Sequence, residues 1–310
     1  MPVHQFRRIG SLDVSVVGLG CNNFGRRLDV KATAKVVKAA LDEGINFFDT
    51  ADVYGGTASE EFLAKALGKR REKVIVATKF GMKVDDNRKG ARPEYVKQAC
   101  EDSLRRLRTD YIDLYQLHTP DKSVPIADTL GALDDLVQEG KVREIGCSNF
   151  TADQLHEADA AVQMGCARFV SVQNEYSLLH REPGKGVLAE CAALNISFIP
   201  YFPLANGLLT GKYRKNQPLP QGSRITDGWH SELLTEENLD KVEQLIAFAE
   251  SRGHTILELA FSWLLSREMV SSVIAGATSP EQARANANAA EWDLTEAELE
   301  QVNRIVPLHS

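Results

Sequence analysis

The chain has 310 residues, of which 43% are apolar and 25% charged, and a net charge of −7. That acidic balance argues against a nucleic-acid partner, which a basic field would attract, but leaves room for a small anion at a local cationic site. No apolar run approaches the ~18 residues of a spanning helix, and the opening MPVHQFRRIG lacks an apolar leader core, so a cytoplasmic protein without a membrane partner is expected.

At ~100–200 residues per domain the length suits two domains, yet α/β barrels of this size form one, and 1–310 is read as a single domain. Cys21, Cys100, Cys147, Cys166 and Cys191 are odd in number, widely spaced and without a C-x-x-C pair. They read as reduced thiols, neither a disulfide framework nor a zinc site, and no metal is expected.

Taken in chain order, short β-branched runs alternate with helical patterns. The expected strands are VSVVGLG (14–20), NFFDTA (46–51), VIVATKF (74–80), IDLYQLH (112–118), VREIGCS (142–148), FVSVQNEY (169–176), SFIPYFP (197–203) and SSVIAGA (271–277). Amphipathic stretches such as KATAKVVKAALDEG and PEYVKQACEDSLRRL lie between them, with Pro93 and Pro280 at first-turn positions and Gly44, Gly68 and Gly140 as stops. Continuous apolar strands separated by helices imply a parallel sheet covered by helices. Eight such units predict a (β/α)₈ TIM barrel, with a doubly wound sheet as the alternative. Two segments break the rhythm: a long Gly/Pro/basic loop over 205–235, after the seventh strand, and an extra helix over 295–306.

Barrel chemistry sits where strands end. The second strand delivers Asp49, with Tyr54 just beyond, the third Lys79, and the fourth His118. The fifth delivers Ser148 and Asn149, the sixth Gln173 and Asn174, and the seventh Tyr201. Each alone has an ordinary structural role; their convergence on one mouth is what points to chemistry. A tyrosine with a pKa near ~10 needs tuning to act as an acid. Lys79 beside it would lower that pKa, Asp49 would keep Lys79 charged, and His118 would hold a substrate oxygen. Such a set protonates an alkoxide as it forms, and the missing partner is a hydride donor. GLGCNNFG, with Asp42 and Glu43 further on, imitates a dinucleotide fingerprint, but its third glycine, Gly25, is out of register.

The stretches INFFDTADVYG, ATKFG, RTDYIDLYQLH, GKVREIGCSNF, VQNEYS, PLANGLLTGKY and VIAGATSPEQARANA, in this order between residues 8 and 290, resemble the aldo-keto reductase superfamily, including its potassium-channel beta-subunit branch. The resemblance implies a (β/α)₈ barrel and an NAD(P)H-dependent oxidoreductase that reduces small-molecule aldehydes or ketones. It makes Asp49, Tyr54, Lys79 and His118 the catalytic tetrad, with Tyr54 the general acid. It places Ser148, Asn149 and Gln173 on the nicotinamide carboxamide, Tyr201 on its ring, and Cys21 and Asn22 near its ribose, beside Asp49. Phe202, Pro203, Leu204, Ala205, Gly207 and Lys212 would lie along the pyrophosphate, with Arg224 a further contact. Gly276, Thr278, Ser279, Gln282 and Asn286 would surround the adenosine end, where a helix N-terminus supplies donors. Asp52 receives no role from it and reads as a loop or cap residue.

Several positions depart from the family pattern. Phe202 stands where a small hydroxyl residue is frequent, Ser279 where a basic one is, and Ala285 where an acid precedes the asparagine. Lys212, Arg224 and Arg284 remain as cations for a 2′-phosphate, so NADPH is the expected cofactor and NADH the alternative. Substrate choice would lie around Asn22–Phe24 and in loops 82–91 and 213–232, with Phe24, Phe80, Trp229 and His230 lining the pocket. Rival readings are a Schiff-base aldolase or lyase on Lys79, and a cofactor-binding regulatory subunit. Oligomeric state is not legible.

Overall fold

Two parities meet in the first expected strand. Leu12 and Val14 pack on one side, with Ile9 and Phe47, whereas Val16, Val17 and Leu19 join the apolar layer on the other. The computed structural model, which describes residues 5–228 and 230–308, shows why. The run divides into β2 (Leu12–Ser15), the return arm of a hairpin begun by β1 (Phe6–Ile9), and β3 (Val17–Gly20), the first barrel strand. No Gly or Pro marks the break, so an unbroken β-branched run hides the change of direction.

From there strands and helices alternate: α1 (Val30–Asp42), β4 (Phe47–Asp49), α2 (Ala58–Leu67), β5 (Ile75–Phe80), α3 (Pro93–Leu107), β6 (Ile112–Leu117), α4 (Ile126–Gln138), β7 (Val142–Ser148), α5 (Ala152–Ala160), β8 (Phe169–Glu175), α6 (Val187–Leu194) and β9 (Ser197–Tyr201). Then come α7 (Glu236–Glu250), α8 (Ile256–Leu265), β10 (Val273–Gly276), α9 (Pro280–Ala287) and α10 (Glu296–Ile305). The eight strands β3 to β10 are parallel, in the order β10-β3-β4-β5-β6-β7-β8-β9. Phe198 brings the ends of this sheet together: its N–H donates to the Met269 carbonyl (2.7 Å) and its carbonyl accepts from Ser271 N–H (3.2 Å). The result is the expected single-domain (β/α)₈ barrel.

Period-two alternation sorts the strand residues into two cores. Phe47, Ala77, Leu114, Ile199 and Ile274 fill the interior, and Ile9, Leu12 and Val14 of the hairpin close it from below. Outward residues meet the helices, and here one expectation fails. Phe80 is completely buried in that outer layer, stacked on Tyr115 at 4.7 Å between centroids. Two positions along from interior Ala77 on β5 and from Leu114 on β6 stand Lys79 and Gln116, both fully buried. The interior thus turns from apolar to polar toward the strand C-termini.

The excursion after β9 holds short 3₁₀ turns at Ala205–Thr210 and Ser231–Leu233, then α7, capped by Thr235. Thr295 opens α10 with a reciprocal capping box to Glu298, close to where the tail helix is expected. Among the described residues no helix is long and apolar enough to cross a membrane.

Candidate active site

Four strands deliver a closed set of charge-assisted bonds to the floor of the mouth. Lys79 Nζ donates to Asp49 Oδ2 (2.6 Å) and to the Thr50 carbonyl (2.9 Å). Asp49, 3% exposed, accepts on its other oxygen from Gln173 Nε2 (2.9 Å) and Gln116 Nε2 (3.3 Å). A buried ion pair of this kind holds its geometry because both carboxylate oxygens are engaged. Lys79 has its pKa raised: burial opposes the charge, but Asp49 and then Tyr54 more than offset it.

Tyr54 reaches over this floor on a turn with Gly55 and Gly56 at positive φ. A Cβ on Gly55 would come within 2.3 Å of the Phe24 carbonyl, so only glycine lets the turn close there. Lys79 Nζ lies 5.3 Å from the Tyr54 ring centroid, and the His118 ring stands edge-on to it at 5.8 Å. Part of Tyr54 stays open to the mouth. The expected lowering of its pKa is corrected: Lys79 pulls downward, but desolvation outweighs it and the phenol is raised. His118 moves the other way, to about 3, because burial and then Lys79 disfavour its cation. At neutral pH the site therefore holds a neutral phenol, a neutral imidazole and a charged lysine.

Beside them runs a row of amides and hydroxyls. Asn149 Nδ2 donates to the His118 carbonyl (2.9 Å) and to Ser148 Oγ (3.1 Å). Ser148 Oγ donates to the Gln173 carbonyl (2.7 Å), and Tyr201 hydroxyl donates to Asn149 Oδ1 (2.8 Å). Beyond Tyr201 the backbone turns left-handed at Phe202, Ala205 and Asn206, none of them glycine, and at Gly207 (φ 107°). Within this stretch Pro203 has no N–H, and those of Ala205 and Gly207 donate to the Phe202 (2.9 Å) and Leu204 (2.8 Å) carbonyls, which closes the loop on itself. Arg224 Nη2 spans the mouth to Asn22 Oδ1 (2.9 Å) and Asn23 Oδ1 (3.2 Å), while its guanidinium lies over the Phe202 ring at 5.5 Å. Lys212 and Arg224 have no carboxylate within ion-pair distance among the described residues, and burial with cationic neighbours lowers the pKa of both.

At the end of β10, Ser279 caps α9 by accepting from Gln282 N–H, and Gln282 Oε1 accepts from Thr278 N–H and hydroxyl. Asn286 is buried, and Gly276 lies against Asn22 and Asn23. Arg284 is shared between Glu43 (3.7 Å) and Glu281 (3.8 Å).

The profile of the "Aldo/keto reductase family" matches residues 16–307. The chain belongs to this family. A Glycine max protein named "Probable aldo-keto reductase 1" is 35% identical over 96% of this chain and 86% of its own. An Arabidopsis thaliana "Probable voltage-gated potassium channel subunit beta" is 33% identical over 97% of this chain and 96% of its own. The solved glycerol dehydrogenase AKR11B4 from Gluconobacter oxydans superposes with a TM-score of 0.84 at 30% identity, covering 97% of this chain and 94% of that one. Membership supports an oxidoreductase acting on small carbonyl compounds with a nicotinamide cofactor.

Within this aldo/keto reductase the site residues expected from sequence gather at one mouth, with exceptions that burial explains. Phe24, like Phe80, is a fully buried core residue and lines no pocket. Cys21 is fully buried, its thiol directed at the Leu19 carbonyl, its N–H donating to the Asp49 carbonyl and its carbonyl accepting from Phe24 N–H and Ser59 hydroxyl, so it is closed to a ligand. His230 does stand at the mouth, its ring 5.7 Å from Phe202, whereas Trp229 lies outside the described residues. Gln116 and Asn206 enter the site unanticipated; Gln116 is detectable, since YQLH places it two residues before His118 on the same face. A Schiff-base role for Lys79 is disfavoured, because such a lysine needs a lowered pKa and this one is raised and bound to a carboxylate.

Proposed function

We propose that the chain is an NADPH-dependent reductase of aldehydes or ketones, working in the cytoplasm, with Tyr54 as the proton donor. The observation that carries this reading is the buried Lys79–Asp49 pair set beneath a partly open, neutral Tyr54. The residues present fit a nicotinamide dinucleotide: Lys212 and Arg224, which have no carboxylate within ion-pair distance among the described residues, suit its phosphates, and Ser148, Asn149 and Gln173 its carboxamide. Tyr201 would take the ring, Gly276, Thr278, Ser279, Gln282 and Asn286 the adenosine. Bound there, the cofactor supplies the hydride.

Each protein group then has one task. His118, neutral, retains an N–H donor for the substrate oxygen. Tyr54 hydroxyl gives its proton to that oxygen as negative charge develops on it. Lys79 stabilises the phenolate left behind, and Asp49 keeps Lys79 charged and fixed. Gln116 and Gln173 satisfy the second carboxylate oxygen, so Asp49 does not swing away.

For NADPH over NADH the support is this pair of cations, since Arg284 is already shared between two carboxylates. Quenching of tryptophan fluorescence on titration with NADPH, and in parallel with NADH, tests the reading. Saturable quenching that is tighter with NADPH is expected. Tighter NADH binding overturns the cofactor choice, and binding of neither overturns the reductase reading.

A further inference from the structure

Asp52 looks like a loop residue in the sequence, yet it is 2% exposed and its Oδ1 has no hydrogen-bond partner. Its backbone ties two catalytic elements together. Asp52 N–H donates to the Lys79 carbonyl (3.1 Å), and two residues on, Tyr54 N–H donates to the Ala51 carbonyl (3.2 Å). The side chain therefore sits at the root of the turn that presents Tyr54.

Its surroundings hold one negative charge too many. From α2 comes Glu60, completely buried, which accepts from Thr78 hydroxyl of β5 (2.6 Å) and from Arg106 Nε of α3 (2.6 Å). Arg106 also reaches Ser103 (3.2 Å). From β5 comes Lys79, but its ammonium is engaged by Asp49 and Thr50. Tyr95 of α3 and Tyr115 of β6 complete the titratable groups that feel Asp52, and both phenols are raised and stay neutral. Asp52 thus feels the repulsion of Glu60 and the attraction of Arg106, whose guanidinium is already bonded to Glu60. An unpaired buried carboxylate is expensive, and the cheaper state keeps a proton. Burial first, then Glu60, push the Asp52 carboxyl up to about 7.

We propose that Asp52 is a positioning residue: as the uncharged acid it lets the 49–54 turn close on the Glu60–Arg106 pair, and so sets where the Tyr54 hydroxyl stands above Lys79. This rests on the reading of Tyr54 as proton donor. A carboxyl whose folded pKa lies above its unfolded value contributes stability that is complete below about pH 4 and is lost as pH rises through about 7. Alkaline pH should loosen the turn and slow turnover while the cofactor strap, on other elements, is spared.

The test follows thermal unfolding, kcat and cofactor KM between about pH 5.5 and 9 in the wild type, Asp52→Asn and Asp52→Leu. In the wild type, kcat and the unfolding midpoint fall toward alkaline pH, kcat by about threefold or more, with KM little changed. Asp52→Asn, a neutral isostere, should keep wild-type acid-side turnover and lose the alkaline fall in both readouts; Asp52→Leu should lower kcat throughout. Glu60→Gln, which matches Arg106 to one carboxyl, should shrink the alkaline loss of stability and serves if the Asp52 variants do not fold. An alkaline fall in stability that Asp52→Asn and Glu60→Gln leave unchanged overturns the proposal, whatever happens to turnover. Separated unfolding profiles with an alkaline kcat fall persisting in Asp52→Asn overturn the positioning role. Separated profiles in a wild type that reduces no carbonyl overturn only the reductase reading.

Discussion

The floor of the mouth and the strap across it are built by opposite means. Asp49, Lys79, Gln116 and Gln173 stand on four neighbouring or facing strands, each 3% exposed or less, bonded to one another side chain to side chain. The strap runs from Phe202 to Gly228 through loop backbone with several left-handed turns and is held at its far side by two arginines. Arg224 grips Asn22 and Asn23, and Arg27 pairs with Asp227 (2.8 Å) while donating to the Gly222 carbonyl (2.8 Å). Proton transfer needs donor and acceptor held to a fraction of an ångström, which strand ends supply. The dinucleotide proposed to lie beneath the strap would have to enter and leave, which suits a loop latched by a few polar contacts.

Substitutions can break that contrast, the largest effect first. Tyr54→Phe should lower kcat for carbonyl reduction by about 10²–10⁴-fold, the worth of a placed general acid, with cofactor affinity in the fluorescence titration nearly unchanged. If turnover survives, the proton donor is another group. Lys79→Met strands Asp49 as a buried, unpaired carboxylate and should cost about 3–5 kcal/mol in urea unfolding. On the strap the balance inverts. Arg224→Ala should weaken cofactor binding about ten- to a hundredfold, as loss of a charge-assisted contact does, and leave unfolding almost unmoved. Arg27→Ala, removing a half-exposed latch worth about 0–1 kcal/mol, should speed cofactor release a few-fold without altering kcat for a chemistry-limited substrate. A strap variant that unfolds the protein, or a floor variant that changes only affinity, would erase the distinction.

The smallest effect expected is an absence. With His118 lowered to about 3, no imidazole limb should appear near pH 6.5 in kcat/KM. A histidine with a depressed folded pKa contributes stability present above about 6.5 and lost as pH falls toward 3, so acid should act on folding before it acts on substrate hydrogen bonding.

Residues whose position follows from local pattern were legible. Lys79 and His118 close apolar runs of period two, and Gln116 obeys the same parity. Phe80 and Phe24 mark the limit of that pattern: aromatic residues beside a mouth look like pocket lining, but one step of parity turns Phe80 to the helix layer. The hairpin before β3 was hidden by a run of valines, and Asp52 by the blandness of a loop aspartate. Nothing near Asp52 in the chain announces Arg106, which meets Glu60 from another helix.

The amino-acid order by itself determined the eight alternating units, the polar residue at each strand end and the glycines that free the Tyr54 turn, because these depend on side-chain parity and backbone freedom within a few residues. Only the tertiary structure decided the charges. Tyr54 is a stronger-held proton than its lysine neighbour alone would make it, His118 is neutral, and Lys212 and Arg224 have no carboxylate partner among the described residues. Those properties come from desolvation and from groups brought together across tens or hundreds of residues, and distance through space is what the Coulomb and burial energies read.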